Sequence, residues 1–373
     1  MGRVDTLSTV RTLLALTVLG AAATATAAAA QEAPPVQNGD QSAQAQSTGS
    51  AVVSAPLSAD ASNDEQDAET EPLQDQTGRS AVSPTPVPVD RQSFEIGVEP
   101  RFISNYFEAQ DEFNSGVPAT PAKSVGIITV SGSYNYNIVQ KEDSTVTAGV
   151  RLRHNFFTNL PHADSTDFDA SLDYHGKSSQ LNIGYFGTWH RLVSIVNGKR
   201  IYDTTNGFTA EYLRNLSSRL RARVRYRFSH EGYSDFTDRN LSENEFSADL
   251  RYRISPYFMP GIGYDYMHAD GKSNLFSYDR YAPFVTVTSE IGKLAYLSFR
   301  YRHLDRHYST DVPADSHFGR RDNRDQFTFY GTVWLGHGFS VFGYADHINN
   351  HSNVSYANFK TTEGGLGLFY RFD

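Results

Sequence analysis

The sequence predicts an all-β fold, a closed antiparallel transmembrane β-barrel of about 14 strands that follows a disordered segment. Three observations predict this fold. Segments of about ten residues alternate between apolar and polar side chains, which is the period of a strand with two different faces. Tight turns and longer polar stretches alternate between these segments. Every aromatic residue, 24 Phe, 22 Tyr and 2 Trp, lies after Gln92.

The alternation is clearest over residues 219–228, where five arginines occupy every second position and Leu, Ala, Val, Tyr and Phe lie between them. A helix would scatter the arginines around its axis, whereas a strand places all five on one face. The same alternation recurs in 168–174, 246–252, 295–301, 339–345 and 366–372. This repetition favours a barrel over a single half-buried strand.

The connections between the segments fall into two classes. Six are predicted to be tight turns: 139–143, 175–177, 215–218, 255–256, 291–293 and 335–338. Seven are predicted to be longer loops: 108–121, 158–165, 192–202, 231–240, 269–277, 309–320 and 350–356. Short turns at one end and long loops at the other are typical of bacterial outer-membrane barrels, whose termini both lie at the turn end. A barrel over residues 93–373 also leaves no open sheet edge in lipid.

The first 30 residues resemble a cleaved secretory signal. Arg3 and Arg11 supply positive charge, and residues 13–22 are apolar but too short to span a bilayer. Ala28 and Ala30 form a small-x-small cleavage site before Gln31. The alternative, a membrane anchor helix, needs a longer apolar run. We therefore expect export and a location in the bacterial outer membrane.

Residues 31–92 have the composition of a disordered periplasmic linker. The segment has no aromatic residue, and its ten acidic and two basic residues carry −8 of the chain's formal net charge of −9. It cannot bury enough apolar area to offset the entropy of ordering. Pro84, Pro86 and Pro88 are expected to extend its last part. A partner-binding role remains the alternative.

Two local patterns resemble known families. Residues 365–372 (GLGLFYRF) resemble the C-terminal targeting strand that the outer-membrane barrel assembly machinery reads, which implies that this machinery is a partner. The assembly signal would consist of Leu366, Leu368, Tyr370 and Phe372; Asp373 follows where the family pattern ends.

The second pattern is Arg320-Arg321-Asp322 at a strand start, with Asn353 and Tyr356 before the last strand. It resembles the putative β-barrel porin group and the C-terminal barrel of surface-lipoprotein assembly modifiers, over about the last fifty residues. The assembly modifiers typically carry a helical repeat domain before the barrel, where this chain has the predicted linker.

Successive residues of a strand point to opposite faces, so the parity of a position, odd or even along its strand, tells which face it lies on. Parity assigns a set of charged residues to the barrel interior. They are Arg219, Arg221, Arg223, Arg225 and Arg227, with Glu211, Glu245, Asp249 and Arg251 on adjoining strands, and Arg151, Arg153, Arg300, Arg302, Asp167, Asp169 and Asp173 across the pore. An arginine ladder that faces acids can form a selectivity site for anions or sugars. The alternative is that the charges neutralise one another and fill a narrow barrel. The first interpretation is favoured because five arginines on one strand exceed what the adjacent acids could pair.

Five histidines end the strands that lead to the predicted long loops: His154, His230, His268, His303 and His347. Each has the parity of the apolar face, so they are spread around the outside of the barrel and cannot converge on one metal ion. We expect a ring at the level of lipopolysaccharide headgroups, and no metal or cofactor. Outer-membrane lipid and lipopolysaccharide are therefore expected partners.

Other chemistries find little support in the sequence. The sequence contains no cysteine, which excludes disulfides, thiolate metal sites and cysteine nucleophiles. Ser229, His230, His154 and Asn155 supply the residue types of a hydrolase, but neighbours on a strand point to opposite faces. No phosphate loop, zinc spacing or basic nucleic-acid surface is present.

The sequence thus predicts a channel rather than an enzyme, for small polar or anionic solutes, with saccharides among the candidates. A factor that exports a surface protein or polysaccharide is the alternative, and an outer-membrane hydrolase is a weaker one.

Overall fold

A computed structural model describes residues 91–106 and 124–372, apart from short gaps at 142, 161, 197–198, 234–236, 238–239, 256, 273–275, 292–293 and 314–316. The predicted signal peptide and all but the last two residues of the predicted linker lie outside the described residues, as does the predicted loop 108–121. Within the described part of the chain, no helix is long and apolar enough to cross a membrane.

Fourteen antiparallel strands form one closed barrel, as the sequence predicts. They are β1 (Gln92–Ile103), β2 (Val125–Lys141), β3 (Ser144–Phe157), β4 (Ser165–Gly176), β5 (Ser179–Val196), β6 (Lys199–Asn215), β7 (Leu220–Tyr233), β8 (Leu241–Tyr252), β9 (Met259–Gly271), β10 (Tyr278–Ile291), β11 (Ala295–Tyr308), β12 (Arg321–Gly336), β13 (Phe339–Ser352) and β14 (Phe359–Phe372). Each strand pairs with its neighbours in sequence, and β1 pairs with β14 to close the barrel, with Phe94 opposite Phe372.

The two ends of the barrel differ as predicted. At the turn end, which also holds the start of β1 and the end of β14, the strands are joined by two to six residues. Only two residues join β12 to β13. Gly336, His337 and Gly338 all have positive φ, and the two glycines adopt this conformation without strain. At the loop end, six of the seven connections have six residues or more.

The seventh loop-end connection corrects a prediction. Residues 192–202 were expected to form a loop, but β5 and β6 continue through them as a hairpin whose paired residues reach Val196 and Lys199. The pairing register shifts twice in β5, between Trp189 and Arg191 and between Leu192 and Ser194. These bulges break the two-residue alternation, so the segment does not look like a strand in the sequence.

The outward face of the barrel is apolar. Exposed Phe94, Ile96 and Val98 lie on β1, and equivalent residues recur around the barrel, for example Val150, Leu152, Leu172, Ile183, Tyr185, Phe208, Val224, Phe246, Leu250, Ile262, Val285, Phe299 and Leu368. A continuous exposed apolar surface of this extent is unfavourable in water. Lipid covers such a surface in transmembrane barrels, where every backbone polar group is also paired within the sheet.

Candidate functional site: the barrel lumen

The arginine ladder lies on the inner wall, with one correction. Arg221, Arg223, Arg225 and Arg227 alternate along β7 and are at most 9% exposed. Arg219 is different: it precedes β7 in an exposed turn, because the strand begins at Leu220. The structure therefore places four of the five arginines in the wall and Arg219 outside it.

The ladder does not exceed the supply of acids. Arg221 lies 3.1 Å from Glu290, and Arg223 lies 2.5 Å from Asp249 and 3.6 Å from Glu211. Arg225 lies 3.0 Å from Glu245. The expectation that five arginines outnumber their partners was wrong, because β6, β8 and β10 all contribute carboxylates to this wall. Paired buried charges are held in place, whereas an unpaired one would be very costly.

Other interior arginines stack on aromatic rings. The guanidinium of Arg227 lies 4.6 Å from the ring centre of Phe186, and that of Arg300 lies 4.1 Å from the ring centre of Phe284. At the loop end, Arg306 lies over Tyr278 at 4.4 Å. Cation–π contacts of this kind hold the charge against the wall.

The charges on β3 and β4 were expected to lie across the pore from the arginine ladder, and in the structure they pair with each other on adjacent strands. Arg153 lies 3.7 Å from Asp167 and 3.3 Å from Asp169. Asp173 accepts hydrogen bonds from Ser171 and Asn182. Opposite charges on adjacent strands give a wall of alternating sign rather than a field directed across the lumen.

The remaining predicted interior residues follow the same rule. Arg251 lies 2.8 Å from the carboxylate of Asp249, which thereby holds two arginines. Arg302 donates to Gln326 at 2.9 Å and lies 3.6 Å from Asp265. Arg151 also faces the interior and is half-buried.

A cavity of about 340 Å³ runs along the lumen. Its lining includes Ser93 near the turn end of β1 and Ile103 near the loop end. Ten residues of a strand cover about 33 Å, or about 25 Å along the axis of a barrel whose strands tilt by about 40°. The cavity therefore extends over most of the height of the wall.

The cavity is lined least by the wall of β8–β10. Among the described residues, its walls come from β1–β8 and β10–β14, with single residues from β8 and β10 and none from β9. Its charged lining includes Glu95, Glu99, Arg101, Arg151, Arg153, Asp167, Asp169, Asp173, Glu211, Arg223, Arg225, Arg251, Arg300, Arg302, Asp346 and Glu363. We call the part of the lumen that holds this cavity the open side.

The wall of β8–β10 forms the filled side. Glu245, Asp265 and Arg280 are at most 1% exposed, and Arg280 lies 3.4 Å from Glu245. The side-chain nitrogens of Arg280 and both carboxylate oxygens of Asp265 make no hydrogen bond. At the loop end of this side, Met267 and Tyr278 belong to a buried apolar cluster.

Parity could have found several interior residues that were not predicted as site residues. Arg101 on β1 lies 3.4 Å from Glu363 on β14 and 4.0 Å from Glu99. The hydroxyl of Tyr344 donates to Glu363. These four residues all line the cavity and have the inward parity of their strands. Their few charges of mixed sign, spread over three strands, gave a weaker signal than the arginine ladder.

A second unpredicted group lies at the base of the β5–β6 hairpin. Arg191 donates to Asp203 and lies 2.7 Å from Glu231, and all three side chains are buried. Nearby, the hydroxyl of Tyr106 donates to the carbonyl oxygen of Leu192 at 2.9 Å. Because the register shifts in β5 interrupt the two-residue alternation, the sequence pattern did not reveal this group.

The five histidines lie on the outward face at the loop end, as parity predicts. Each ring uses Nδ1 to contact the residue opposite it on the next strand. His154 contacts Thr166, His230 contacts Ser242, His268 contacts Asp279, His303 contacts Asp325 and His347 contacts Thr362, all at 2.8–3.0 Å. Within the described residues, no three His, Asp or Glu side chains are grouped so that they could hold a metal ion.

The residue types of a hydrolase do not assemble at Ser229. Its hydroxyl donates to Glu243 inside the wall at 2.8 Å, while His230 contacts Ser242 on the other face. Asn155, which also faces inward, donates to Ser165 and Asp167.

Four of the motif residues, Arg320, Arg321, Asp322 and Asn353, lie close together. Arg320 lies 2.6 Å from Asp322, and the side chain of Asn353 accepts from the amide of Arg321 and donates to the carbonyl of Gly319. They join the loop before β12 to the loop after β13.

In the terminal strand, Leu368 and Phe372 are exposed on the outward face. Leu366 and Tyr370 share that parity and are half-buried. Recognition of these four residues by the assembly machinery stays a prediction.

A scan against protein-family models finds no match, and a search of curated proteins finds none either. The resemblance to the porin group and to the assembly modifiers therefore stays a prediction.

Solved structures similar to this chain are outer-membrane proteins. A loop L8 deletion mutant of OmpT from Vibrio cholerae has a TM-score of 0.41 at 9% identity, covering 76% of this chain and 100% of its own. A bacterial polysaccharide outer membrane secretin has a TM-score of 0.41 at 12% identity, and the match covers 75% of this chain and 98% of the secretin chain. The outer membrane channel DcaP of Acinetobacter baumannii has a TM-score of 0.37 at 12% identity, and the match covers 75% of this chain and 96% of the DcaP chain. No functional statement follows from likenesses this distant.

Proposed function

We propose that this chain is an outer-membrane channel through which small polar or anionic solutes, including saccharides, cross the bilayer. The loop end would face the outside of the cell and the turn end, with both termini, the periplasm. The observation that carries the proposal is the polar cavity that extends along the wall from the level of Ser93 to the level of Ile103.

The dimensions of the cavity suit small solutes. The cavity of about 340 Å³ is at the lower end of the volumes of pockets that hold small-molecule ligands. It is far smaller than the wide aqueous channel of barrels with 16–18 strands. Fourteen strands with one filled side therefore support a size-selective path.

The lining supports passage of polar molecules. Arginine side chains offer donors and carboxylates offer acceptors within the same wall, so a polar solute can exchange its hydration shell for wall contacts at each step. The ion pairs keep these groups against the wall, which leaves the path open. Arginine keeps its positive charge at any physiological pH, so the lining retains cationic groups that attract anions.

Two arginines of the lining offer the sharpest test. Arg151 and Arg300 both face the cavity and are only half-buried. If a permeating ion passes about 6 Å away through water, one unit charge contributes about 0.7 kcal/mol, or about threefold in relative permeability. Arg151→Ser and Arg300→Ser should each lower the ratio of anion to cation permeability by about that factor.

The measurement is the reversal potential of the purified full chain in planar bilayers under a KCl gradient. Arg219→Ser is the matched control, because Arg219 lies in the exposed turn outside the wall, and its ratio should equal that of the wild type. Wild-type protein that inserts and folds without conducting would contradict the channel and favour the export factor. Conduction with unchanged ratios in both variants would contradict the role of the arginines.

A further inference from the structure

The polar rim above the apolar band is not the same all the way round. On β4–β8 the outward residues at this height are Thr166, Trp189, Thr204, Asn206, His230, Ser242 and Asn244, none of which carries a fixed charge. On β12–β14 the same height is rich in basic side chains. The difference indicates that one flank of the barrel meets a charged partner.

The basic flank is built by Arg321 on β12, His347, Asn349 and His351 on β13, and Lys360 and Thr362 on β14, which we call the β13–β14 patch. Arg321, His347, His351 and Lys360 are exposed. His347 contacts Thr362 at 2.8 Å and Asn349 contacts His351 at 3.0 Å, so the rings are held in place. The outward residues of β13 and β14 in this patch include no acid.

The neighbouring acids are already engaged. Asp325, opposite Asn349, accepts hydrogen bonds from Tyr301 at 2.8 Å and contacts His303 at 2.9 Å. Asp305 lies 3.0 Å from His307. Asp325 adjoins the patch and interacts electrostatically with His351, so the patch has the two fixed positive charges of Arg321 and Lys360 beside one carboxylate.

The patch also lies at the height where lipid headgroups begin. Tyr301 pairs with Phe327, which pairs with His347, so the row of aromatic residues ends where the patch starts. Aromatic girdles mark the membrane interface of transmembrane barrels. Below the patch, Ala345 and Gly364 leave a low apolar surface over which acyl chains can pack.

From the charge, the height and the adjoining apolar surface we infer that the β13–β14 patch binds the phosphate group of an outer-leaflet lipid, with lipid A as the natural ligand. Arg321 and Lys360 supply the charge, and the imidazoles, the Asn349 amide and the Thr362 hydroxyl supply hydrogen-bonding groups. Arginine and lysine are the side chains that recognise phosphate through charge-assisted hydrogen bonds. This site is separate from the lumen and does not depend on conduction.

The test is native mass spectrometry of the full chain in detergent, titrated with bis-phosphorylated lipid A. Each cation near a membrane surface contributes roughly fivefold in affinity, so Arg321→Ser with Lys360→Ser should weaken binding about thirtyfold. The matched control removes two exposed charges at the turn end, Lys177→Ser with Arg214→Ser, and should bind like the wild type.

Two further arms identify the ligand chemistry. Lipid A with its phosphates removed should bind wild type as weakly as the patch variant binds intact lipid A. Inorganic phosphate at the same concentration should not displace the lipid, since the acyl chains contribute to binding. Equal affinity of the patch and control variants, or binding that persists without phosphate, would overturn the inference. Because all four substituted residues are exposed, the variants should keep wild-type thermal unfolding, which circular dichroism checks.

Discussion

Asp249 holds two arginines of adjoining strands at once. It is 4% exposed, and it lies 2.5 Å from Arg223 on β7 and 2.8 Å from Arg251 on its own strand. Removing one partner of a buried ion pair leaves an uncompensated charge, which costs far more than the pair contributes. Asp249 is therefore the carboxylate that bridges Arg223 and Arg251, while Glu211 lies farther from Arg223, at 3.6 Å.

Asp249→Ala should lower the free energy of unfolding by about 3–5 kcal/mol. Urea titration of the barrel folded in lipid vesicles measures the change. Asp143→Ala, in the exposed turn between β2 and β3, should stay within about 0.5 kcal/mol of wild type. Coincident unfolding curves for the two variants would contradict the account of the wall.

At the residue scale, alternation in the sequence was enough to place side chains inside or outside, but not to pair them. It placed Arg221, Arg223, Arg225 and Arg227 inward and His303 outward, as observed. It could not show that Arg223 reaches Asp249 or that Arg227 stacks on Phe186, because those contacts depend on the register of neighbouring strands and on rotamers.

Among the elements, the seam between β1 and β14 is the least local part of the barrel, since it joins the two ends of the chain. At Gly97, opposite Phe369, a Cβ would collide with the ring of Phe369. Gly132, on the neighbouring strand β2, has no heavy atom closer than 4.0 Å to a Cβ placed there. The seam therefore requires glycine at position 97, whereas position 132 outside the seam has room for a side chain.

Gly97→Ala should destabilise the barrel by about 1–3 kcal/mol, the usual cost of overpacking. Gly132→Ala should be close to neutral. Thermal unfolding followed by gel mobility of the folded and unfolded forms compares the two variants. A Gly97→Ala barrel as stable as Gly132→Ala would show that the ring of Phe369 does not occupy the seam.

At the same scale, strands were predicted well where the alternation was regular and missed where bulges interrupted it. All fourteen strands were expected, including β14, whose alternation from Leu366 to Phe372 is unbroken. The extension of β5 through residues 192–196 was missed because two register shifts exchange the faces of the strand.

For the whole molecule, the division of the lumen into an open and a filled side is the feature on which the proposed channel function rests. Alternation predicts which residues point inward, but how far each reaches across the barrel depends on all fourteen strands together. Arg280 and Asp265 fill space beside β9, whereas Arg151 and Glu95 border the cavity. Composition alone could not separate these two situations.

The path can be tested directly because the natural chain has no cysteine. Single Ser→Cys variants at Ser133 and Ser171 place a thiol on the open side, and Ser247→Cys places one on the filled side, where the serine is 1% exposed. A charged, water-soluble methanethiosulfonate reagent is added while current is recorded across a planar bilayer. The account predicts that current falls after reaction at positions 133 and 171 and stays unchanged at 247. Equal block at all three positions, or none at 133 and 171, would contradict a conducting path along the open side.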